Sequence, residues 1–376
     1  MKKQYDIAAF IWPSYTGDEK RTRMFWKEGY GEWQTVQRGE ELSRGKGIEG
    51  YVWNRKPLWG YVNEANPDVM EMEISCAAKY GVNVFIYDWY WYDNRPFLEN
   101  CLNDGYLKAK NNNLVKFYLM WANHNVNHYW DVDMSDDYGD EYIWLGKINK
   151  EQFKQLIDRW INKYFLEPSY YKIDGCPVFM IYEPQNFFPM FDSLEDCKEG
   201  IEYFKAKVRE AGFPDLHLQM CLRDSYFKVN DYFGETITEK EIFEYIGVNS
   251  ISNYHWIHLL DCDRDYADIL PDVQKLYDSL ENNGQIDYFP HVSCGWDKNP
   301  RFKRPSGPII KNPTPQKFEK ALRMAKDYAD THNLPANLIT INSWNEWTET
   351  SYLQPDNLFG YGYLEAVKKV FDDENK

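Results

Sequence analysis

Glu346 and Glu349 stand three residues apart in the segment Trp344-Asn345-Glu346-Trp347-Thr348-Glu349. Two neighbouring carboxylates can divide acid–base work, one protonated and one ionised. These two follow directly on the apolar run Asn337-Leu338-Ile339-Thr340-Ile341-Asn342 and are flanked by tryptophan and asparagine. Such surroundings imply desolvation, which raises the pKa of a carboxylic acid and keeps a general acid protonated near neutral pH. Cleavage of a glycosidic bond needs that division of labour, together with flat aromatic surfaces for sugar rings. The spacing also sets a geometric demand. Residues i and i+3 of a regular strand point to opposite faces, so both glutamates reach one cleft only if the chain has turned by Trp347.

The frame that must position them reads as short apolar runs alternating with helical stripes. The runs cover 7–12, 82–87, 115–120, 177–182, 217–222, 247–254, 288–292 and 338–343, the seventh weakened by Pro290. Helical patterns cover 67–80, 153–164, 194–211, 266–281, 316–331 and 361–371. Pro67 suits a first helical turn and Gly81 a helix end. Eight strands alternating with helices predict an α/β fold, a (β/α)8 TIM barrel. The alternative, an open doubly wound sheet, lacks a Gly-rich phosphate loop after its first strand. A chain of 376 residues suits one such barrel with long loops, read here as a single domain over 1–376. Long loops after the first, third and sixth strands are expected to form an aromatic cleft at the C-terminal face.

Active sites in such barrels lie at the C-terminal strand ends. That rule selects Trp12 and Tyr15, with Glu32 and Trp33 in the loop that follows, and then Asp88, Trp89 and Tyr90. It selects Trp121, Asn123 and His124; Glu183; Arg223 with Asp224; Tyr254 and His255; Trp296 and Asp297; and Asn345 and Trp347 beside the two glutamates. Each has an ordinary explanation as well: Asp88 as a loop cap, Glu183 as a solvated charge before Pro184, Arg223-Asp224 as a local ion pair. The coincidence of a polar group with an aromatic at nearly every strand end points to a binding cleft, with Glu346 and Glu349 catalytic and the others holding substrate.

Bulk properties agree. A net charge of −16 opposes binding to a nucleic-acid backbone and suits a neutral substrate. Fifteen Trp and 30 Tyr exceed what a core needs, since their polar tips are costly to bury without partners. The seven cysteines show no CxxC pair, so no disulfide framework is read. His124 and His128 have the spacing of a zinc protease helix but lack its glutamate, and the acidic stretch 131–141 lacks the glycine of a calcium loop. No Gly-x-Ser-x-Gly elbow is present. Neither a metal nor a cofactor is expected, and no apolar run is long enough to span a bilayer. The sequence runs from Met1 straight into a strand without a signal-peptide pattern, which reads as cytoplasmic as written, and as periplasmic or secreted if a leader was trimmed.

Several motifs together resemble the glycoside hydrolase family 99-like group, also described as the WbsX family. They are Ala8-Ala9-Phe10-Ile11-Trp12-Pro13, Gly29-Tyr30-Gly31-Glu32-Trp33, Tyr87-Asp88-Trp89-Tyr90-Trp91-Tyr92, Met120-Trp121-Ala122-Asn123-His124-Asn125, Gly295-Trp296-Asp297-Lys298-Asn299-Pro300-Arg301 and Asn342 to Glu349. The resemblance implies a (β/α)8 barrel that cleaves α-mannosides internally with retention. It implies Glu346 as a base acting on the sugar's own 2-hydroxyl, through a 1,2-anhydro sugar, and Glu349 as the acid/base. That route requires the 2-hydroxyl to lie trans to the leaving group. The chain departs from the mannosidases at His124, where they have glutamate, and at Thr350, where they have glycine. The sequence therefore favours a retaining glycoside hydrolase of a complex glycan. A glycosyltransferase of surface polysaccharide synthesis and an inactive glycan-binding protein are the alternatives; Asp131-Val132-Asp133 and Asp261-Cys262-Asp263 do not sit at strand ends, as a nucleotide-sugar site would ask.

Overall fold

The computed structural model describes residues 3–372 apart from 18, 139, 224–228, 231, 234–235 and 281–285, so Asp224 and the end of the helix expected over 266–281 lie outside the described residues. Eight parallel strands make the barrel. β1 (Asp6–Ile11), β2 (Val84–Tyr92), β3 (Lys116–Trp121), β4 (Cys176–Ile181), β5 (His217–Leu222) and β6 (Ser250–Asn253) lie side by side in that order. β7 is broken in two. Asp287–Tyr288 pairs with β6, and His291–Ser293 pairs with β8 (Leu338–Asn342), which returns to β1 and closes the circle. The break falls at Phe289-Pro290. Proline has no N–H to give to a ladder, but its carbonyl accepts from Thr340 N at 3.0 Å while Phe289 N donates to Ile251 O at 2.9 Å. The proline that weakened this strand in the sequence is thus where the chain switches from one neighbour to the other.

The helices of eight residues or more are α1 (Trp33–Arg44), α2 (Pro67–Tyr80), α3 (Lys150–Trp160), α4 (Leu194–Glu210), α5 (Glu239–Ile246), α6 (Tyr266–Leu280), α7 (Pro315–Thr331) and α8 (Gly362–Asp372). α2 has the bounds its signals predict: the Asn66 side chain accepts from Asp68 N, Pro67 follows, and Gly81 closes it at φ +90. α1 and α5 were not legible. α1 lies within the long loop expected after the first strand, and Gly39 interrupts its stripe. A Cβ there would come within 2.3 Å of the Trp53 ring, so the glycine serves packing rather than a turn. α5 opens on a capping box between Thr238 and Glu241 that the sequence does contain. After β2 the usual helix is reduced to short turns over Cys101–Gly105 and Tyr106–Lys108. A Cβ on Gly105 would lie 2.1 Å from the Glu64 carbonyl, so this segment presses on the loop after β1 instead of forming a separate helix.

Below the cleft the barrel interior is partly polar and internally bonded. Ser252 Oγ meets Thr340 Oγ1 at 2.8 Å, and His291 bridges Thr340 Oγ1 (2.9 Å) to Ser293 Oγ (3.1 Å). Buried hydroxyls left unpaired would each cost about 1–3 kcal/mol. Among the described residues no helix is long and apolar enough to cross a membrane.

Candidate active site

The decisive local event is the turn after β8. Asn345–Glu346 pairs antiparallel with Ser351–Tyr352, and Trp347–Glu349 makes one 3-10 turn between them. A 3-10 helix has three residues per turn, so i and i+3 lie over one another. Glu346 caps this turn and Glu349 ends it, which puts both carboxylates on the same side. Thr350 leaves the turn at φ +56, a conformation that favours glycine. It is held there by its hydroxyl, which donates to Asp297 O (2.9 Å) and accepts from Trp53 Nε1 (2.8 Å). Ser343 Oγ donates to Ser351 O at 2.6 Å and accepts from Glu346 N at 2.8 Å, pinning the base of the hairpin.

One guanidinium joins the two glutamates. Arg301 Nη1 lies 2.6 Å from Glu349 Oε1 and Nη2 3.3 Å from Glu346 Oε1, while Nε lies 2.9 Å from Glu32 Oε1. Glu32 sits behind, fully buried, and also accepts from Trp12 Nε1. On the far side the Tyr254 hydroxyl is 2.7 Å from Glu346 Oε2 and 3.1 Å from Asp88 Oδ2. Burial, and then the neighbouring Glu349, hold the Glu346 carboxyl well above the ordinary carboxylate range. Burial raises Glu349 too, but Arg301 pulls against it. Asp88 is pushed well up by burial. The charge of Glu349 bears directly on Glu346, so the two carboxyls titrate as a pair.

These groups open into a cavity of about 540 Å³ at the C-terminal mouth of the barrel. Of the residues selected from the sequence, Trp12, Asp88, Tyr90, His124, Glu183, Arg223, Tyr254, Trp296, Glu346 and Glu349 line it. Burial drives the His124 pKa down to about 4, so it is a neutral imidazole in the wall. Arg223 lies 4.3 Å over the Tyr182 ring and 3.1 Å from Glu183.

The other selected residues lie behind that wall. On β2 the period of two sends Asp88 and Tyr90 inward and Trp89 outward, where its Nε1 donates to Glu99. Trp121 likewise points out, against Phe153 and Trp160. Tyr15 and Trp33 pack against each other with ring centroids 4.1 Å apart and planes tilted by 32°. Asn123 clasps the ends of β3 and β4, donating to Glu183 O and accepting from Glu183 N, both at 2.8 Å. His255 Nε2 bonds Gly295 O at 2.6 Å. Asp297 N donates to Glu349 O at 2.7 Å, tying the loop after β7 to the turn. Asn345 bonds both the N–H and the carbonyl of Trp12. Trp347 lies flat on Tyr352, 3.8 Å away, with its Nε1 on Gln354. The two tryptophans beside the glutamates therefore brace the turn from behind; Trp12, Tyr90, Trp130, Tyr182 and Trp296 supply the aromatic walls.

Sequence reading did not single out Arg301 or Lys298, both in the loop after β7, nor the buried pair Glu64 and Glu73. Glu64 accepts from Asn345 Nδ2 (2.8 Å), Glu73 from Trp344 Nε1 (2.7 Å), and Gln354 Nε2 bridges them at 3.0 and 3.1 Å. A charge count held the missing signal: several acids at buried strand ends, with Arg223 the one cation selected there, demand another from a loop. Among the described residues no group of three or more His, Cys, Asp or Glu could hold a metal ion.

A family model described as glycosyltransferase WbsX matches residues 7–367. Two curated relatives from strains of Xanthomonas campestris pv. campestris, both described as uncharacterized protein WxcX, are 23% identical over 358 residues, covering 92% of this chain and 47% of theirs. The chain thus spans about half the length of the curated relatives it matches. The glycoside hydrolase family 99 endo-alpha-mannosidase of Bacteroides thetaiotaomicron superposes with a TM-score of 0.57 at 12% identity, covering 99% of this chain and 98% of that one. A glycoside hydrolase-like protein superposes at 0.60 and 15% identity, covering 98% and 94%. At such identities the likeness shows the shared barrel fold.

Proposed function

We propose, for a chain that belongs to the WbsX family, that residues 1–376 act as one catalytic domain, a retaining glycoside hydrolase of a complex glycan. The observation that carries this reading is the pair Glu346 and Glu349, set side by side by one 3-10 turn and bridged by Arg301 inside an aromatic-walled cavity. In this reading Glu349 carries a proton and Glu346 is ionised. Glu346 is then able to take the proton of a sugar 2-hydroxyl. Glu349 can then protonate the leaving oxygen. Attack of the 2-oxygen on the anomeric carbon gives a 1,2-anhydro sugar, which water activated by Glu349 opens with net retention. An α-mannoside-type linkage satisfies the trans requirement of this route. Among the described residues Asp88 Oδ1 and Glu349 Oε2 have no hydrogen-bond partner, as groups awaiting a substrate hydroxyl do.

The test is Glu346→Gln and Glu349→Gln on a panel of unactivated glycans. Each should lower turnover by about a hundredfold or more; near-wild-type rates in both would sink the assignment. The family's description favours a second reading, transfer from a sugar nucleotide. Titration calorimetry with UDP and GDP separates the two, because a hydrolase shows no heat of binding. Binding of glycans with no product from any of them would instead support an inactive glycan-binding protein.

A further inference from the structure

Resting on the hydrolase reading, we infer that the glycan is acidic, carrying a carboxylate, phosphate or sulfate on the sugar that leaves, and that Lys298 receives this group. Three cations line the cleft among the described residues: Arg223, Lys298 and Arg301. Arg301 is bound by three carboxylates and Arg223 by Glu183. Among the described residues no carboxylate or carbonyl lies within bonding distance of the Lys298 ammonium. Its ammonium is held 5.6 Å from the Tyr129 ring centre and 5.3 Å from that of Phe302.

Its place is built rather than incidental. Gly307, at φ +65, passes so close that a Cβ there would lie 2.9 Å from Lys298 Cε. Lys298 is half-buried, and contact with two aromatic faces offsets only part of the cost of drawing its ammonium partly out of water; burial accordingly lowers the lysine pKa. An anion is the partner that restores it. Neutral hydroxyls do not call for this charge, since Asn125, Asn127 and Gln185 already offer amides in the same cavity. Glu349 is the carboxylate that attracts Lys298 across the cleft. With Glu349 as proton donor to the leaving oxygen, the group Lys298 meets belongs to the leaving sugar. The overall charge of −16 does not prevent this, because charges further away than about 8 Å are screened at physiological salt.

The experiment is an array of microbial glycan fragments in which each acidic glycan stands beside its carboxyl-reduced, dephosphorylated or desulfated counterpart. It is probed with the intact chain, Lys298→Met and Lys298→Arg. The intact chain should hold acidic members about tenfold or more tighter than their neutral partners. Lys298→Met should lose that preference, Lys298→Arg should keep it, and which acidic class binds identifies the anion. Binders that are all neutral, an array with no acidic binder, or equal weakening of acidic and neutral glycans by Lys298→Met overturns the inference. Cleavage is scored separately on the same glycans. Lysine-dependent acidic binding without product leaves this inference standing and removes the hydrolase reading. Cleavage of neutral glycans at rates that Lys298→Met does not change removes the inference and leaves the hydrolase.

Discussion

Replacing Arg301 by methionine removes the charge that the turn after β8 is built around and leaves most of the stem volume filled. Arg301 is 5% exposed and meets Glu349, Glu32 and Glu346 at 2.6, 2.9 and 3.3 Å. Taking one partner from a buried ion pair costs about 3–5 kcal/mol, because it strands the other. The stranded groups here are acids, so they can take up protons instead. Glu346 and Glu349 already have raised pKa values with the arginine present, and without it both rise further. An acid whose folded pKa lies above its unfolded value of about 4.3 binds more protons folded than unfolded. Its contribution is therefore fully present below that value and is lost as pH rises through the folded pKa. Arg301→Met should lose about 3–5 kcal/mol at pH 8 and clearly less at pH 5. Urea unfolding followed by tryptophan fluorescence, in steps from pH 5 to pH 8, reads this directly. A loss of the same size at every pH, or one below about 1 kcal/mol at pH 8, as an exposed pair would give, refutes the reasoning.

Tyr254→Phe removes the hydroxyl shared by Glu346 and Asp88. It should lower kcat/KM about tenfold or more and move the acidic limb of the pH profile upward, because that hydroxyl stabilises the ionised form of the base Glu346; an unchanged profile would remove the phenol from the reaction. Gly31→Ala places a side chain at φ +65 with its Cβ 1.8 Å from the Ser14 carbonyl, one residue before Glu32. A loss of about 1–3 kcal/mol is expected from the strained backbone alone, read as a lower Tm, and a Tm equal to that of the native chain would show that the loop can relax.

The sequence by itself determined the barrel. Strand-like runs and helical stripes depend on local periodicity, which survives in one dimension, and α2 emerged with its bounds intact because Asn66, Pro67 and Gly81 act on their own neighbourhood. The glutamates were legible for the same reason, as a short motif after an apolar run. What the tertiary structure decided was which side chains face one another. A strand end names a position, but the pleat decides that Asp88 and Tyr90 enter the cleft while Trp89 turns to the helices. The loops after β1 and β7 bring Glu32 and Arg301 together from 269 positions apart, and no local pattern marks a contact of that range. Most of all, the turn over Trp347–Glu349 depends on pairing with Ser351–Tyr352 and on the hydrogen bonds that hold Thr350 in its left-handed conformation. A strand continued through the motif would have set the two glutamates on opposite faces; the folded hairpin sets them side by side.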